Sequence, residues 1–88
     1  MKLKRHKQFL KDWHKVRLTD GQFEKFISYA NHLRTDKPLS KVAKDHSLNG
    51  EYDDYREFHL GGDVLVIYKI ITEELTFYRI GSHSQLFK

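Results

Sequence analysis

Apolar and polar positions keep a helical period over the first part of the chain and a period of two over the second. Phe9, Leu10, Trp13 and Val16 follow i, i+1, i+4, i+7 within residues 6–17, the stripe of an amphipathic helix. Lys7, Lys11 and Lys15 sit four apart on another face, and His14 reads as a surface residue. Phe23, Phe26, Ile27, Ala30 and Leu33 then repeat at i, i+3, i+4, i+7, i+10, a second amphipathic helix. Thr19 with Gln22 forms a capping box at its start, and Asp20 and Glu24 suit the positive helix N-terminus. Asp36-Lys37-Pro38 ends it, because proline cannot continue a helix and restricts the residue before it. The short link over residues 17–20 predicts a helical hairpin. Residues 2–5 alternate around Leu3 and suit a short edge strand whose lysines discourage edge-to-edge pairing. Residues 39–44 have room for one more helical turn.

From residue 55 the period changes. Tyr55, Glu57 and His59 share one face of a strand over residues 55–60, and Arg56, Phe58 and Leu60 the other. Gly61-Gly62 has the composition of a two-residue hairpin loop, which needs positive φ. Residues 64–71, VLVIYKII, are apolar on both faces apart from Lys69, as in a central strand with helices over one side. Glu73-Glu74 marks the next turn and residues 75–80 a third strand, before GSHSQLFK. No repeat, low-complexity segment or linker interrupts this order. It predicts an α+β fold in a single domain over residues 1–88, with two N-terminal helices packed on one face of a small, mainly antiparallel twisted sheet. The other face, or one end of it, is left open for a ligand.

With 88 residues such a domain holds one modest core, which six Phe, five Tyr and one Trp can supply from few positions. Cysteine is absent, so disulfides and thiolate metal sites are excluded. No apolar run approaches the roughly 18–20 residues of a transmembrane helix. MKLKRHK is followed by QFLKDWHK, too charged for a signal core, and the expected location is the cytoplasm. Charge is uneven: residues 1–17 carry seven Lys/Arg against Asp12 alone, while the rest is slightly acidic. A basic block fits a polyanion such as RNA, and it also fits a solvated helix face.

Candidate chemistry lies between residues 45 and 83. The predicted hairpin sets His59 opposite Val64 and brings Asp63 to the same strand end, where a carboxylate can orient an imidazole. A third strand paired with the second returns its end towards Asp63, so His59, Asp63 and His83 are expected to converge at one sheet edge. His46 lies in a preceding loop that this argument does not place. Three readings compete. The histidines are ordinary surface or core residues. Or three His and an Asp hold a metal such as zinc, although their spacing matches no local metal motif. Or a histidine pair moves protons without metal, for which a basic surface makes a phosphodiester the natural substrate.

The run KDHSLNGEYDDYREFHLGGDVLVIYKI, followed by LTFYRIGSHSQLF, resembles the YafQ-type branch of the RelE-like bacterial toxins. The resemblance covers residues 44–87. It rests on D-H-x-L-x-G, Y-R-[DE]-x-H, an Asp opening an apolar strand, and G-[ST]-H-x-x-L-F, in that order and spacing. It implies a RelE-like fold and a toxin of a type II toxin–antitoxin pair. The activity implied is that of a ribosome-dependent mRNA endoribonuclease without metal or cofactor: the 2′-hydroxyl attacks phosphorus, leaving a 2′,3′-cyclic phosphate and a 5′-hydroxyl. Residues required for cleavage in the family fall on His46, His59, Asp63 and His83. Phe87 matches an aromatic that stacks on a base, and Arg56 and Arg79 match basic positions suited to phosphate. The expected roles are His83 as general acid and His59, supported by Asp63, as base, with His46 aiding either step. A cognate antitoxin, mRNA and the ribosome, met by the basic N-terminal segment, are the implied partners. The alternative is a non-catalytic RNA- or protein-binding module of the same fold. This chain has Gly-Gly before Asp63 where some relatives have a Pro, and Val64 where some have a Trp.

Overall fold

The computed structural model describes residues 1–87. Strand β1 (Lys2–Arg5) leads into helices α1 (Lys7–Lys15) and α2 (Asp20–Arg34), followed by strands β2 (His46–Ser47), β3 (Arg56–Gly61), β4 (Val64–Ile71) and β5 (Glu74–Ser82) and a terminal turn of helix, α3 (His83–Leu86). The strands form one sheet in the order β1-β5-β4-β3-β2. Among the described residues only the β1–β5 pairing is parallel. The α+β expectation holds, with two additions. Residues 46–47, read as loop, add a short strand beside β3, and the tail folds into α3.

Local chemistry sets the helix starts. The His6 ring nitrogen Nδ1 accepts from the Gln8 N–H at 3.1 Å and caps α1. Thr19 and Gln22 form the predicted box, with reciprocal bonds of 3.1 and 2.9 Å. The Gln22 amide also donates to the Gly61 carbonyl at 3.0 Å, which ties the start of α2 to the β3–β4 hairpin. After β1 ends, α1 takes over the sheet edge. Asp12 accepts from the Ile80 N–H of β5 at 3.0 Å and pairs with Arg79 at 2.7 and 3.1 Å.

Both hairpin turns sit one residue from their predicted places. Gly61 and Gly62 do take positive φ (100° and 58°). However, Gly61 belongs to β3 and pairs with Val64, across a register shift after His59, so the turn is Gly62-Asp63. A residue beyond φ = 0 breaks the period of two and makes a bulge. His59 therefore stands opposite Leu65 and not Val64. The second turn is Thr72-Glu73, both with positive φ, while Glu74 lies in β5.

The main core lies between the sheet and the two helices and contains Phe9, Tyr29, Leu33, Phe58, Tyr68, Leu75 and Ile80. On α2 the buried side is shifted from the predicted stripe: Tyr29 and Leu33 are buried, while Phe23 and Ile27 are exposed. The opposite sheet face is not bare as expected. Leu65, Ile67 and Leu86 are buried there under Leu48, Tyr52, Tyr55, Tyr78 and Phe87. The residues between β2 and β3, and α3, form that roof. No helix of the described residues is long and apolar enough to cross a membrane.

Candidate active site

The sheet register lines up the site. His46, Glu57, Ile67 and Arg79 form one row across β2, β3, β4 and β5, and His59, Leu65 and Gly81 form the next. Directly paired residues point to the same side, so Glu57 and both histidines share the face roofed by the second cluster. The Glu57 carboxylate is buried at 4% exposure. One of its oxygens, Oε2, lies 2.7 Å from His59 Nε2 and 3.4 Å from His46 Nε2. The two imidazoles lie 6.2 Å apart at 27°.

Hydrogen-bond chemistry orders the protons. The His46 Nδ1 lies 2.6 Å from the Lys44 carbonyl. A carbonyl oxygen only accepts, so Nδ1 carries the hydrogen and a neutral His46 keeps its lone pair on Nε2. Lys44 takes a left-handed conformation at φ 50°, which turns its carbonyl to the ring two residues on. The His59 Nε2 must likewise donate to Glu57. The carboxylate that holds His59 is thus Glu57, and the expected support from Asp63 is not formed. Among the described residues, the Asp63 carboxylate makes no hydrogen bond or ion pair. Its carbonyl accepts from the His83 N–H at 3.2 Å. Asp63 and His83 do meet at one sheet end, through the backbone, while the ring of His83 packs on Phe87 at 4.8 Å.

The predicted convergence is therefore split into two flanks. Gly81 is two strands from His59 and His83 two residues further along, so their α-carbons are roughly 12 Å apart from strand spacing and rise. Ser82 and Gln85 cap α3 reciprocally, which fixes where His83 and Phe87 leave the sheet. Phe87 also meets Tyr52 at 5.6 Å, and Tyr52 and Tyr55 meet Tyr78 at 5.9 and 4.8 Å. An aromatic ladder thus runs over the face from the tail to β3. Burial, followed by Tyr78 and Asp54, raises the Tyr55 pKa.

Both arginines are held by acids. The Arg56 Nε donates to Asp45 at 3.2 Å and to the Tyr68 hydroxyl at 3.3 Å, and that hydroxyl donates to Asp45 at 2.6 Å. The Arg56 pKa is raised, chiefly by the bond to Tyr68. Tyr68 is pushed well above the usual phenol range by burial, then by its bond to Asp45. Arg79 is raised chiefly by Asp12, which engages its Nε and one terminal nitrogen.

Sequence reasoning missed Glu57. The signal was present: alternation set it on the face of His59, and the Y-R-[DE]-x-H pattern includes it. Asp45, the anchor of Arg56, was also passed over. As for a metal, His46, Glu57 and His59 each offer a ligand atom within 4.8 Å of the others, an N,N,O set suited to zinc or copper. Two tetrahedral ligands at ~2.1 Å from zinc are about 3.4 Å apart. The His46–Glu57 distance matches this, whereas the 2.7 Å His59–Glu57 contact is a hydrogen-bond length.

A family model described as the bacterial toxin of type II toxin–antitoxin system, YafQ, matches residues 1–88. The chain belongs to the YafQ family. The mRNA interferase toxin YafQ of Escherichia coli K12 is 44% identical over 50 residues, 57% of this chain and 54% of that protein. The chain thus spans just over half the length of that curated relative. A metal-bound toxin from Helicobacter pylori superposes with a TM-score of 0.84 at 34% identity, covering 98% of both chains. YafQ in the E. coli DinJ–YafQ complex superposes at 0.81 with 32% identity, over 98% of this chain and 97% of that one. The YafQ relatives therefore share this fold throughout.

Proposed function

We propose that this protein is the toxin of a type II toxin–antitoxin pair and a ribosome-dependent mRNA endoribonuclease acting in the bacterial cytoplasm. The observation that carries the reading is the His46–Glu57–His59 unit, with His83 and Phe87 set across the same sheet end. The 2′-hydroxyl oxygen attacks the adjacent phosphorus and its proton passes to the His46 Nε2. The buried Glu57 carboxylate stabilises the imidazolium that forms, and His59 holds that carboxylate in place. As the bond from phosphorus to the 5′ oxygen breaks, His83 gives that oxygen a proton. The products are a 2′,3′-cyclic phosphate and a 5′-hydroxyl. The base is assigned to His46 because its lone-pair nitrogen, Nε2, lies beside the Glu57 charge, whereas His59 spends its Nε2–H on that carboxylate and keeps its lone pair on Nδ1. Asp63 acts through its carbonyl, positioning His83. Arg79, in the same row as Glu57, offers its remaining N–H groups to phosphate, whereas Arg56 pairs with Tyr68 on the other sheet face and braces Asp45; Phe87 stacks on a base.

Partners follow from this role. They are mRNA, the ribosome met by the basic N-terminal segment through a salt-sensitive attraction, and a cognate antitoxin protein. The DinJ–YafQ complex supports the last. A metal would be held by His46, Glu57 and His59, where it would supply a Lewis acid, occupy the His46 lone pair and displace the proton from the His59 Nε2.

Induction of the wild type in bacteria is expected to arrest growth and cut messages to cyclic-phosphate ends. His46→Ala and His83→Ala are expected to do neither while staying folded. Cleavage at the wild-type rate by His83→Ala, or products bearing 5′-phosphates, would overturn the mechanism. Cleavage abolished by a chelator selective for zinc and copper, with the ribosomes kept in excess magnesium, would favour the metal reading. A soluble, abundant wild type that neither cuts nor arrests would indicate a binding module.

A further inference from the structure

A polar cleft borders the site, and two of its side chains, Lys15 and Gln85, take no part in the proton transfers. It measures about 240 Å³ and lies where the end of α1 meets β5 and α3, lined by Asp12, Lys15, Val16, Arg79, Ile80 and Gln85. The Asp12 carboxylate is already engaged. It accepts from the Arg79 Nε and a terminal nitrogen at 2.7 and 3.1 Å, and from the Ile80 N–H at 3.0 Å. Its charge offsets only one of the two cations, so the walls keep a positive excess. Lys15 is exposed and, among the described residues, forms no ion pair. It stands in the last turn of α1, where it offsets the carbonyl end of the helix, which alone would oppose an anion. Gln85 caps α3 through Oε1, accepting from the Ser82 N–H at 2.9 Å, so the cap leaves its amide N–H groups unused. Arg79 keeps the N–H groups that Asp12 does not engage. An ammonium, part of a guanidinium and an amide, all donors, therefore face one concavity, the chemistry of an anion site.

We propose that this cleft binds a phosphodiester group of the substrate RNA, the one a single step to the 3′ side of the bond that is cut. This subsite presupposes the cleavage proposed above. Arg79 joins the two places. It lies in the row of Glu57, two strand spacings or about 10 Å across the sheet, and it lines the cleft. Helix α3 sets the direction. It carries both Gln85 and His83, and His83 protonates the leaving 5′ oxygen. The nucleotide that keeps this oxygen is then the one that passes α3 towards the cleft. Holding its next phosphate keeps the 5′ oxygen beside His83 in the reacting geometry. A carboxylate of a partner protein could meet the same donors, but the RNA is the ligand that the site itself brings past Arg79 and α3.

The test is single-turnover cleavage, on stalled translating ribosomes, of a message with one uncharged methylphosphonate. It replaces the linkage that follows the leaving nucleotide, which is made 2′-deoxy; the reference message has an ordinary phosphodiester on the same 2′-deoxy nucleotide. The variants are Lys15→Ala and Gln85→Glu, with Lys37→Ala, exposed beyond α2, as control. Gln85→Glu keeps the oxygen that caps α3 and puts a charge in place of the amide donor. Melting curves check that each variant folds. The uncharged linkage is expected to slow the wild type and the control about tenfold, as loss of a charge-assisted bond does. Lys15→Ala should cut the reference message about tenfold more slowly and lose less than about threefold more on the uncharged one. Gln85→Glu, whose charge repels phosphate, should cut the uncharged message at least as fast as the reference. Equal rates on both messages by the wild type overturn the subsite and leave the cleavage mechanism intact. So does a Lys15→Ala that the uncharged linkage slows a further tenfold, because that lysine then meets ribosomal RNA. Wild-type cleavage by Lys15→Ala with loss of antitoxin binding overturns it in favour of a partner's carboxylate. A wild type that does not cut the message overturns the enzyme and the subsite together.

Discussion

Glu57→Gln isolates the charge at the centre of the site. Glutamine keeps the shape of the side chain and one oxygen acceptor, so the Nε2 of His59 can still be met near 2.7 Å. What disappears is the carboxylate charge 3.4 Å from the His46 Nε2. A wrongly turned amide would also donate to that nitrogen and occupy the lone pair that takes the 2′-hydroxyl proton. Losing a positioned acid–base function costs about 10²–10⁴ in rate, or about 2.7–5.4 kcal/mol of barrier at 1.36 kcal/mol per decade. Stability should change little. Glu57 is 4% exposed, and removing a buried charge offsets the loss of its partners, both of which retain contact with solvent. The assay is single-turnover cleavage of a message on stalled translating ribosomes, beside a melting curve. Cleavage within about threefold of wild type by a properly folded Glu57→Gln would refute the role given to this carboxylate.

Three other substitutions test the scaffold. Tyr68→Phe removes the 2.6 Å bond to Asp45 and should cost about 1.5–3 kcal/mol, with Tm falling about 4–8 °C per kcal/mol. Folding raises the Tyr68 pKa above the ordinary ~10. Its contribution is therefore full below about pH 9, declines from about pH 10 and is lost as pH rises through the raised folded value, so the Tm gap between the two proteins should narrow in alkaline buffer. Asp12→Ala leaves the Ile80 N–H and the Arg79 guanidinium without their acceptor. It should cost about 1–3 kcal/mol, read in urea unfolding; an unchanged midpoint would sink the edge-clamp account. Gly81→Ala sets a methyl 2.9 Å from Gln85 Oε1 and 3.4 Å from Leu86, pushing α3 off the sheet. An ångström-scale displacement of His83 should slow cleavage about 100-fold while Tm falls modestly; full activity would mean that α3 tolerates the shift.

The helices were legible in sequence because their signals are local. The Thr19–Gln22 box and the stripes sit within a few residues of the contacts they make. The strands were legible in type but not in phase. One residue of positive φ at Gly61 slipped the hairpin, and with it the partner of His59, by one position. Alternation sets Glu57 beside His59, but His46 reaches it only through the β2–β3 pairing, which no local pattern marks. Arg79 and Asp12 lie 67 positions apart, and nothing near either marks the pair. The stripe on α2 looked like core because Phe23 and Ile27, which line an open groove, keep the same spacing as residues facing the interior.

The parallel pairing of β1 with β5 has a bearing on time as well as on shape. Lys2 meets Glu74 and Arg5 meets Phe77, so the first strand has no neighbour until most of the chain has been synthesised. The same holds for α1, whose Asp12 grips Arg79 and the Ile80 N–H. Long closures of this kind slow folding. A nascent chain stalled before residue 74 lacks β5 and α3, and so has neither its outer edge nor His83. Activity is therefore expected to appear all at once and late, when the two ends of the sequence join. Pulse proteolysis of chains halted at successive lengths should show protection of β1 only once β5 is present.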